Sequence, residues 1–504
     1  MASQQSVPSR RAGSKQTRAG SGPRGHVVVI GGGIAGLAAA HRILREGGPD
    51  VSVTVLEATE DLGGKLRVSP VAGVPLDEGA EAIQATRPEA IALAKQVGLG
   101  RDIVFPASSG AGLWVRGRIR PMPPSIMGVP TDIRALAASG VLPISALLRL
   151  PLEPMKPETT FENDVSVGAY VEARLGREVV DTLVEPLLGG VYAGRADALS
   201  LRSTVPTLYR EVRQERSLVR AAARVSRSGS RETGARRGPV FAGISGGVGR
   251  LPQLVAADLV AMGAQVRTKA PVRSLHRDGE GWRVVVGAVA EQQVISCDAV
   301  VLAVPAFNAT GLLSHIVPSV SADLGLIKYA GMAVVTLAYR KSDVVGPLIG
   351  TGFLVPPGEN RAVKGVTYSS AKWGWVATMA RSSHADGLVM MRASLGRLGD
   401  EALLERDDED IVALAHQDIA EALHVHRAPI ASRVTRWHHA LPQYSVGHSE
   451  RIERVRGRVS GVPGLELAGA AFDGVGVAAV IGTGRSAAAA VLQYLTERAQ
   501  LPHD

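Results

Sequence analysis

The sequence has a single cysteine, Cys297, among its 504 residues. One thiol cannot form an intramolecular disulfide, and it cannot supply the several thiolates of a cysteine-built zinc or iron–sulfur site. A secreted fold held together by disulfides is therefore excluded, and a reducing cytoplasmic location is favoured without being proved. We predict no metal cofactor.

Long uncharged apolar runs are also missing. No stretch reaches the roughly 18 apolar residues that a membrane-spanning helix requires. The N-terminus has no apolar segment of the kind found in secretory signals, and its first 25 residues contain basic side chains but no acidic one. This composition is similar to that of a mitochondrial transit peptide, but no helical apolar face precedes the first predicted strand. We therefore expect residues 1–25 to form a disordered basic leader.

Acidic residues are fewer than basic ones, with 47 Asp and Glu against 56 Lys and Arg and a net charge of +9. Much of the excess lies in residues 1–25 and in residues 210–237, which carry nine Arg and three Glu. Both segments could contact nucleic acid or anionic lipid. Residues 207–228 show an Arg-rich helical period. We favour a solvated tail and a solvated helix face, because charge runs usually have that role. We predict no nucleic-acid partner and at most transient membrane contact.

Glycine is abundant, with 58 residues, and the most informative glycines follow the first predicted strand. The β-branched run His26–Ile30 predicts a buried strand, and Gly31–Gly36 leads from it into a helix that ends near Glu46. A second strand, Val51–Glu57, comes next. This order predicts a βαβ unit with a parallel sheet.

The glycine turn fits the spacing G-x-G-x-x-G that dinucleotide-binding proteins use. Gly31 would allow the tight turn, Gly33 would let a pyrophosphate approach the backbone, and Gly36 would let the helix pack on the strand. Glu57 follows about 20 residues later, where an acidic side chain hydrogen-bonds ribose hydroxyls. A second glycine pair, Gly63-Gly64, favours a long cofactor such as FAD over NAD.

A second glycine-rich turn occurs near the end of the chain, where a strand at 465–469 precedes Gly474–Gly476 and a helix. This segment predicts that the last residues complete the nucleotide-binding sheet. The fold class is therefore α/β, with a Rossmann-type FAD-binding domain interleaved with a mixed-sheet substrate domain and a helical domain. The predicted FAD-binding domain comprises residues 26–85, 240–305 and 455–497. The predicted helical domain comprises residues 106–239, and the predicted substrate-binding domain comprises residues 86–105 and 306–454.

Four further motifs complete the pattern: Glu185–Gly194, Gly350–Leu354, Thr367–Trp373, and Trp437 with Leu441–His448. With them, the chain resembles the oxygen-dependent porphyrinogen oxidases of heme synthesis, a branch of the GG-doublet flavoproteins, and particularly the bacterial coproporphyrinogen III oxidases. The likeness runs from about His26 to about Leu495. In such proteins the C-terminal turn places a helix N-terminus against the flavin, where its dipole favours the anionic reduced form.

The resemblance implies FAD as the cofactor and no catalytic side chain. The cofactor-binding positions it implies are Gly31, Gly32, Gly33, Ile34, Ala35, Gly36, Glu57, Ala58, Lys65, Gly79, Ala80, Glu81, Ala82, Val272, Trp437, Val475, Gly476 and Val477. The substrate-binding positions it implies are Leu187, Gly190, Gly352, Leu354 and Thr367. Some of these, Leu187, Leu354 and Thr367 above all, would look the same as core residues.

The implied reaction is the six-electron oxidation of coproporphyrinogen III to coproporphyrin III in the cytoplasm, with dioxygen reduced to hydrogen peroxide. The pyrrole nitrogens make hydride loss from a bridging carbon feasible without a strong base, so the protein would orient the substrate and exclude water. His448 could act as a base, although a structural role is the commoner one for such a histidine.

Three positions depart from the family pattern. Ala111-Gly112 stands where some relatives place an Arg for a propionate, Trp373-Gly374-Trp375 replaces an expected Trp-Pro-His, and Arg195 stands where an acid is usual. The alternatives left open are a protoporphyrinogen oxidase, an amine or carotenoid oxidase, a binder of nucleic acid or an anionic surface, and an inactive flavin-binding scaffold. The oligomeric state stays undetermined.

Overall fold

A computed structural model describes residues 24–231, 239–288, 290–346 and 348–500. The expected leader, residues 1–25, lies outside the described residues except for its last two positions. The side chains of residues 229–238 in the Arg-rich stretch lie outside them as well.

Five parallel strands form the first sheet, which begins with the buried run that the sequence predicts. In order across the sheet they are Gln265–Arg267, Val51–Leu56, Gly25–Ile30, Ala299–Leu302 and Leu465–Leu467. Parallel strands covered on both faces are rich in Val, Ile and Leu, because neither face meets water. The strands come from three distant parts of the chain, so the predicted α/β class and its interleaved sequence order are confirmed.

Both faces of this sheet are covered. One face packs against the helices Ile34–Glu46, Arg250–Ala261 and Val477–Gln500. The other face packs against an antiparallel sheet with the strands Val272–Asp278, Gly281–Val286 and Gln293–Cys297. It also packs against three helices, which are Ala306–Leu313, Pro318–Gly325 and His448–Val459. The C-terminal helix lies so close to the first helix that a methyl group on Gly484 would overlap the carbonyl oxygen of Ala35.

The second large sheet is mixed and has seven strands. Their order is Ala431–Pro442, Tyr329–Arg340, Leu388–Leu395, Val363–Tyr368, Gly352–Leu354, Gly112–Val115 and Arg118–Pro121. Only Gly352–Leu354 and Gly112–Val115 pair in parallel within it. The helix Asp408–Leu423 packs on apolar side chains of one face. Because side chains alternate along a strand, a different set, which includes Thr336, Arg392 and Arg433, lies on the opposite face.

The helices between residues 133 and 231 share a third core. They are Ile133–Ser139, Ile144–Leu147, Val167–Leu175, Arg177–Val179, Glu185–Tyr192, Leu201–Thr204, Pro206–Val212 and Leu218–Arg231, with a π-helical turn Val180–Val184 and a 3-10 turn Leu150–Met155. The predicted continuous helical period over 207–228 is wrong in its middle. Residues 213–217 break it, because buried Ser217 caps the second helix by accepting a hydrogen bond from the Arg220 N–H.

Smaller elements connect these layers. They are the hairpins Val68–Val71 with Val74–Asp77 and Ser125–Ile126 with Val129–Pro130, the small sheet of Ile83–Gln84, Phe241–Ile244 and Ile103–Val104, the helices Pro88–Gln96, Ser369–Lys372 and Gly374–Ser382, and the 3-10 turns Leu99–Asp102, Lys341–Asp343, Pro357–Glu359 and Glu401–Glu405. Within the part of the chain that the structure describes, no helix combines the length and apolarity needed to cross a bilayer.

Candidate flavin site and its neighbouring cavity wall

The glycines of the first turn are required for two different reasons. Gly31 has a φ of +112°, and Gly36 lies so close to Gly31 that a methyl group on it would overlap the Gly31 carbonyl oxygen. Gly33 has an ordinary φ of −73°, and none of the described residues has an atom within 4 Å of where its Cβ would lie. The packing of the protein therefore does not require glycine at position 33. A bound ligand that lies against the backbone there would require it, because a side chain would occupy the same space.

The second glycine pair lies directly beside the first turn. The Gly63 N–H donates to the Gly32 carbonyl at 2.8 Å. A methyl group on Gly64 would meet only the Cα of Gly33, at 3.6 Å, and one on Gly476 would meet no described atom within 4 Å. Gly33, Gly64 and Gly476 thus each adjoin open space, and we call them the glycine cradle. An elongated anionic cofactor fits such a cradle, since the N–H groups of a helix N-terminus face it.

The carboxylate of Glu57 braces the first turn. Its Oε2 accepts the Gly32 N–H at 2.8 Å, and its Oε1 accepts both the N–H and the hydroxyl of Thr59 at 2.8 Å. The Ala270 N–H donates to the Glu57 carbonyl at 2.8 Å, which places the start of the strand at Val272 beside this corner. Ala58 is exposed at the same corner. Three of the predicted cofactor-binding positions, Glu57, Ala58 and Val272, are therefore neighbours in the fold.

Lys65, Gly79 and Trp437 form the next part of the site. A methyl group on Gly79 would overlap the Lys65 carbonyl oxygen and would lie 3.8 Å from the Trp437 ring. The Trp437 indole N–H donates to the Glu78 carbonyl at 3.1 Å, which fixes the ring over this segment. Burial lowers the pKa of the Lys65 amine to about 8, and no described carboxylate forms an ion pair with it. A half-buried cation without an anionic partner among the described residues can accept a phosphate or an anionic flavin ring.

The side chain of Glu81 has structural partners of its own. Its carboxylate accepts hydrogen bonds from Lys372 Nζ at 2.5 Å and Arg392 Nη1 at 2.7 Å, and Arg392 Nη2 also donates to the Gly79 carbonyl at 2.5 Å. Burial alone would raise the pKa of Glu81, but the two adjacent cations outweigh it and lower the pKa to about 2. We call these three residues the ion triad. Glu81 can therefore contribute to a cofactor site through its backbone, as exposed Ala80 and half-buried Ala82 can.

The polar face of the mixed sheet holds this loop in place. Thr367, Arg392, Thr336 and Arg433 lie side by side in register on four neighbouring strands. Arg433 donates to the Ser69 carbonyl at 2.7 Å and to the Leu76 carbonyl at 3.1 Å. Together with Arg392, it therefore joins the mixed sheet to the segment that follows the second glycine pair. The sequence offered no sign of these partners, because they lie hundreds of residues apart.

The predicted substrate positions converge on one contact region. Gly352 and Thr367 are directly opposite each other on paired strands. The side chain of Leu354, two residues further along, would lie 3.6 Å from a methyl group on Gly190. Leu354 and Val475 both pack against the helical core, and Leu187 lies half-buried on the same helix as Gly190. The mixed sheet and the C-terminal glycine turn thus both contact the helical core.

A stacked pair of rings, Tyr444 and His448, supports the C-terminal turn, and no local sequence pattern indicates this role for Tyr444. The Tyr444 hydroxyl accepts the Gly474 N–H at 2.7 Å and donates to the Ala470 carbonyl at 2.6 Å. The His448 ring stacks on Tyr444 with 4.0 Å between ring centres, and its Nε2 donates to the Ala471 carbonyl at 3.0 Å. These contacts hold the residues that lead to Val475, Gly476 and Val477.

His448 is a poor candidate for a base. Burial first, and then the nearby Arg451 cation, lower its pKa to about 4. Its Nδ1 is buried and has no hydrogen-bond partner among the described residues. The ring is therefore neutral near pH 7 and packs as a structural element, which is the commoner of the two roles weighed from the sequence.

The fold and the glycine cradle are those of a flavoprotein oxidoreductase. The chain belongs to the flavin-containing amine oxidoreductase family, whose sequence profile matches residues 34–492. The resemblance to porphyrinogen oxidases is confirmed by relatives with those names. The chain is 31% identical over 476 residues to the coproporphyrinogen III oxidase of Bacillus subtilis (strain 168), a match covering 93% of this chain and 98% of the relative.

Further relatives agree. The chain is 34% identical to the coproporphyrinogen III oxidase of Mycobacterium bovis, with 94% of this chain and 98% of the relative covered. It is 29% identical to the protoporphyrinogen oxidase of Homo sapiens, with 92% and 98% covered. A solved structure from Exiguobacterium sp. 255-15, whose given name proposes a protoporphyrinogen oxidase, superposes with a TM-score of 0.78 at 27% identity and covers 93% of this chain and 98% of its own.

Proposed function

We propose that this chain oxidises coproporphyrinogen III to coproporphyrin III, with FAD as its flavin and dioxygen as the final electron acceptor. Relatives named for this reaction match nearly the whole chain at 31% and 34% identity, which supports the substrate class. The structural observation that supports the proposal is that the mixed sheet and the C-terminal glycine turn both pack against the helical core. Val475 on the C-terminal glycine turn and Leu354 on the mixed sheet pack against the same helical core.

The residues present fit FAD, which when bound supplies a two-electron acceptor. The N–H groups at the start of the helix Ile34–Glu46 would receive the pyrophosphate, with Gly33 and Gly64 leaving room for it. Glu57 would exchange its hydrogen bond to Gly32 for ribose hydroxyls. Lys65 and the N-terminus of the helix Val477–Gln500 would stabilise negative charge on the ring system.

We assign the substrate positions a role in orientation and water exclusion. Leu187, Gly190 and Leu354 would form one wall, and Gly352 and Thr367 the adjoining strand surface. Removing six electrons and six protons from the macrocycle requires three dioxygen molecules and yields three hydrogen peroxide. A substrate activated by its own pyrrole nitrogens needs no strong base, which agrees with the neutral, buried state of His448.

The proposed units follow the boundaries expected from the sequence. Residues 26–85, 240–305 and 455–497 would bind FAD, 106–239 would form the helical unit, and 86–105 with 306–454 would face the substrate. Three apolar cores, those of the parallel sheet, of the helices and of the mixed sheet, support a division into three units, although two segments of the proposed substrate unit, residues 90–99 and 306–327, pack with the parallel sheet. The proposal therefore assigns the active site to the junction of all three units.

Porphyrin fluorescence tests the proposed reaction. Purified protein is mixed in air with coproporphyrinogen III or protoporphyrinogen IX, and autoxidation in a protein-free blank is subtracted. We expect coproporphyrin to form well above the blank and faster than protoporphyrin. Faster formation of protoporphyrin would favour the alternative suggested by the human relative, and rates equal to the blank in protein that contains FAD would contradict both.

Identification of the released cofactor tests the choice of flavin. Heat-denatured protein should release one molecule of FAD per chain, resolved from FMN by chromatography. Release of FMN alone would contradict the proposed role of Gly31–Gly36 in holding a pyrophosphate, since FMN has none.

A further inference from the structure

Arg120 lies on the face of the mixed sheet that carries the predicted substrate positions. It is directly opposite Leu113 in one strand pair, and Leu113 is directly opposite Leu354 in the next. Residues paired in this way point to the same face of a sheet, and Gly352 and Thr367 share that face with Leu354 because side chains alternate along a strand. Across the sheet, Arg120 is thus two strands, or about 10 Å, from Leu354.

No described carboxylate pairs with the Arg120 guanidinium. The side chain forms no ion pair or hydrogen bond with any described residue, and its Nε is buried without a partner. Arg392, on the same face, differs in this respect, because it donates to Glu81 at 2.7 Å and to the Gly79 carbonyl at 2.5 Å. A buried N–H group without an acceptor is destabilising, so the surroundings of Arg120 favour an incoming anion.

The turn that leads to Arg120 carries an excess of positive charge. Arg116, Arg118 and Arg120 lie within five residues, and none of the three forms an ion pair with a described carboxylate. Glu359 contacts this turn, but its Oε1 accepts the backbone N–H of Arg116 at 2.9 Å and not a guanidinium N–H. Even with this carboxylate counted, the turn is positively charged and attracts an anion.

The Arg120 guanidinium lies between the mixed sheet and the helical unit. A methyl group on Gly140, at the end of the helix Ile133–Ser139, would lie 2.7 Å from Arg120 Nη1. Arg116 already donates to backbone acceptors there, which are the carbonyl oxygens of Gly140 at 2.6 Å and Val141 at 3.3 Å. The Arg120 donors therefore stay available at a junction of the two units that form the proposed substrate wall.

Arg120 is also a diagonal neighbour of Ala111, which adjoins a predicted substrate position. The parallel pairing of two neighbouring strands places Ala111 beside Gly352. On its other side, the Ala111 carbonyl accepts the Met122 N–H at 3.0 Å, so Ala111 is opposite Met122 and two residues out of register with Arg120. Diagonal neighbours of this kind lie roughly 7–8 Å apart, within reach of a long side chain. The Arg120 side chain can therefore reach the space beside Gly352.

We propose that Arg120 binds a propionate carboxylate of coproporphyrinogen III at the edge of the proposed substrate wall. A planar guanidinium can form two parallel hydrogen bonds to a carboxylate, and the buried Nε of Arg120 supplies one of the donors. This assignment rests on the proposed function, because the carboxylate comes from the porphyrinogen.

The test compares Arg120→Gln with Arg118→Gln, which removes the same charge from an exposed side chain on the same strand. Loss of a charge-assisted hydrogen bond should raise KM for coproporphyrinogen III about tenfold or more in Arg120→Gln, whereas KM in Arg118→Gln should stay within about twofold. The value of kcat should change little, because the interaction is with a propionate and not with the reacting carbon. The KM of the unmodified protein should also rise with salt, and less steeply in Arg120→Gln.

A relocated arginine separates substrate binding from a structural role. Ala111→Arg in the Arg120→Gln background should return KM most of the way to that of the unmodified protein, since the two positions are diagonal neighbours. Arg120→Lys keeps the charge but loses the planar fork, so its KM should rise about threefold or more and stay below that of Arg120→Gln. Equal flavin content and equal thermal midpoints of the variants would show that the fold is intact.

The two proposals fail in different ways. If the unmodified protein oxidises neither porphyrinogen, the proposed function is wrong. If it does oxidise them, a KM within about twofold in Arg120→Gln overturns the propionate assignment. An equal rise in Arg118→Gln, or a rise that Ala111→Arg does not reduce, overturns it as well. If Arg120→Gln does not fold, Arg120→Lys decides instead, and an unchanged KM in that variant overturns the assignment.

Discussion

At the scale of single residues, Gly33 and Gly36 offer a matched pair of substitutions in one turn. Gly33→Ala should fold normally, because no described atom lies near the new methyl group, but it should lose FAD because the methyl fills the cradle. Gly36→Ala should instead lower the thermal midpoint, because the methyl would overlap the Gly31 carbonyl. Flavin absorbance per chain and thermal unfolding measure the two effects.

The control for this pair is Gly457→Ala, where no described atom lies within 4 Å of the added methyl and the helix continues on both sides. It should retain its flavin and should be no less stable than the unmodified protein, since Ala is favoured over Gly by about 1 kcal/mol in a helix. Full flavin content in Gly33→Ala would contradict the position proposed for the cofactor.

His448 provides a pH-dependent test at the same scale. Its pKa falls from 6.5 to about 4 in the fold, so the unfolded chain binds the proton first as the pH is lowered. Its contribution to stability is therefore complete above pH 6.5 and is lost as the pH falls toward 4, by about 2–3 kcal/mol. The difference in unfolding free energy between the unmodified protein and His448→Gln should shrink across this range. A constant difference would show that the ring is not held neutral.

Residues in local patterns were predictable, and residues with distant partners were not. The first turn was identified because its glycines, strand and helix are contiguous in sequence. The side-chain partners of Glu81 were not, because Lys372 and Arg392 lie on elements 291 and 311 positions away. No local pattern records such a pairing. For the same reason, the motif Leu441–His448 includes Tyr444 but does not reveal its hydrogen bonds to Gly474 and Ala470.

At the scale of elements, one buried carboxylate begins a helix. Glu153 Oε1 accepts the Leu218 N–H at 2.9 Å and Arg174 Nε at 2.8 Å, and its Oε2 accepts the Ser217 hydroxyl at 2.6 Å. The helix Leu218–Arg231 therefore starts on a side chain from a 3-10 turn far away in sequence. The break in the predicted Arg-rich period follows from this cap, which periodicity cannot reveal.

Glu153→Ala should destabilise the helical unit strongly, because it leaves the fully buried Arg174 guanidinium without its carboxylate. Breaking a buried ion pair costs about 3–5 kcal/mol. Chemical denaturation followed by circular dichroism measures the loss, with the exposed Glu162→Gln as the control that should change little. A loss of unfolding free energy below about 1 kcal/mol would show that the ion pair of Glu153 with Arg174 contributes little to the stability of the helical unit.

The Arg-rich stretch is partly neutralised within the helical unit. Arg224 pairs with Glu215 at 2.8 Å, and Arg216 donates to the Lys156 carbonyl at 2.9 Å. These side chains have partners within the helical unit, and the solvated helix face expected from the sequence stays a prediction. Among the described residues of this stretch, Arg216 and Arg224 therefore stabilise the helical unit itself.

At the scale of the whole molecule, the ion triad links the FAD unit to the mixed sheet. Glu81→Gln should cost about 3–5 kcal/mol, because it leaves Lys372 and Arg392 without their shared carboxylate, whereas Arg392→Gln should cost less, because Lys372 still pairs with Glu81. The double variant Glu81→Gln/Arg392→Gln should cost less than the sum of the two single changes, since either change alone already removes the Glu81–Arg392 ion pair. Urea unfolding of the four proteins gives the coupling energy, and simple additivity would contradict a shared triad.

The sequence order of the fold was more predictable than its contacts. The second glycine turn indicated that the last residues complete the first sheet, and the strand Leu465–Leu467 does pair with Ala299–Leu302. The pairing of mixed-sheet strands, and the polar face they create, required the three-dimensional register. Leu354 and Val475 both pack against the helical core. This packing joins segments that are distant in sequence, so no local pattern predicts it.

The closeness of the helices Ile34–Glu46 and Val477–Gln500 has a consequence for biosynthesis. The Arg42 side chain donates to the Arg485 carbonyl at 2.9 Å, and a methyl on Gly484 would overlap Ala35. The first helix therefore packs against its C-terminal partner only after residues 477–500 have been synthesised, on the order of half a minute later at ~5–20 residues per second. Until then the side of Ile34–Glu46 that meets Val477–Gln500 stays uncovered, and the part of the proposed flavin site formed by Gly476 is absent.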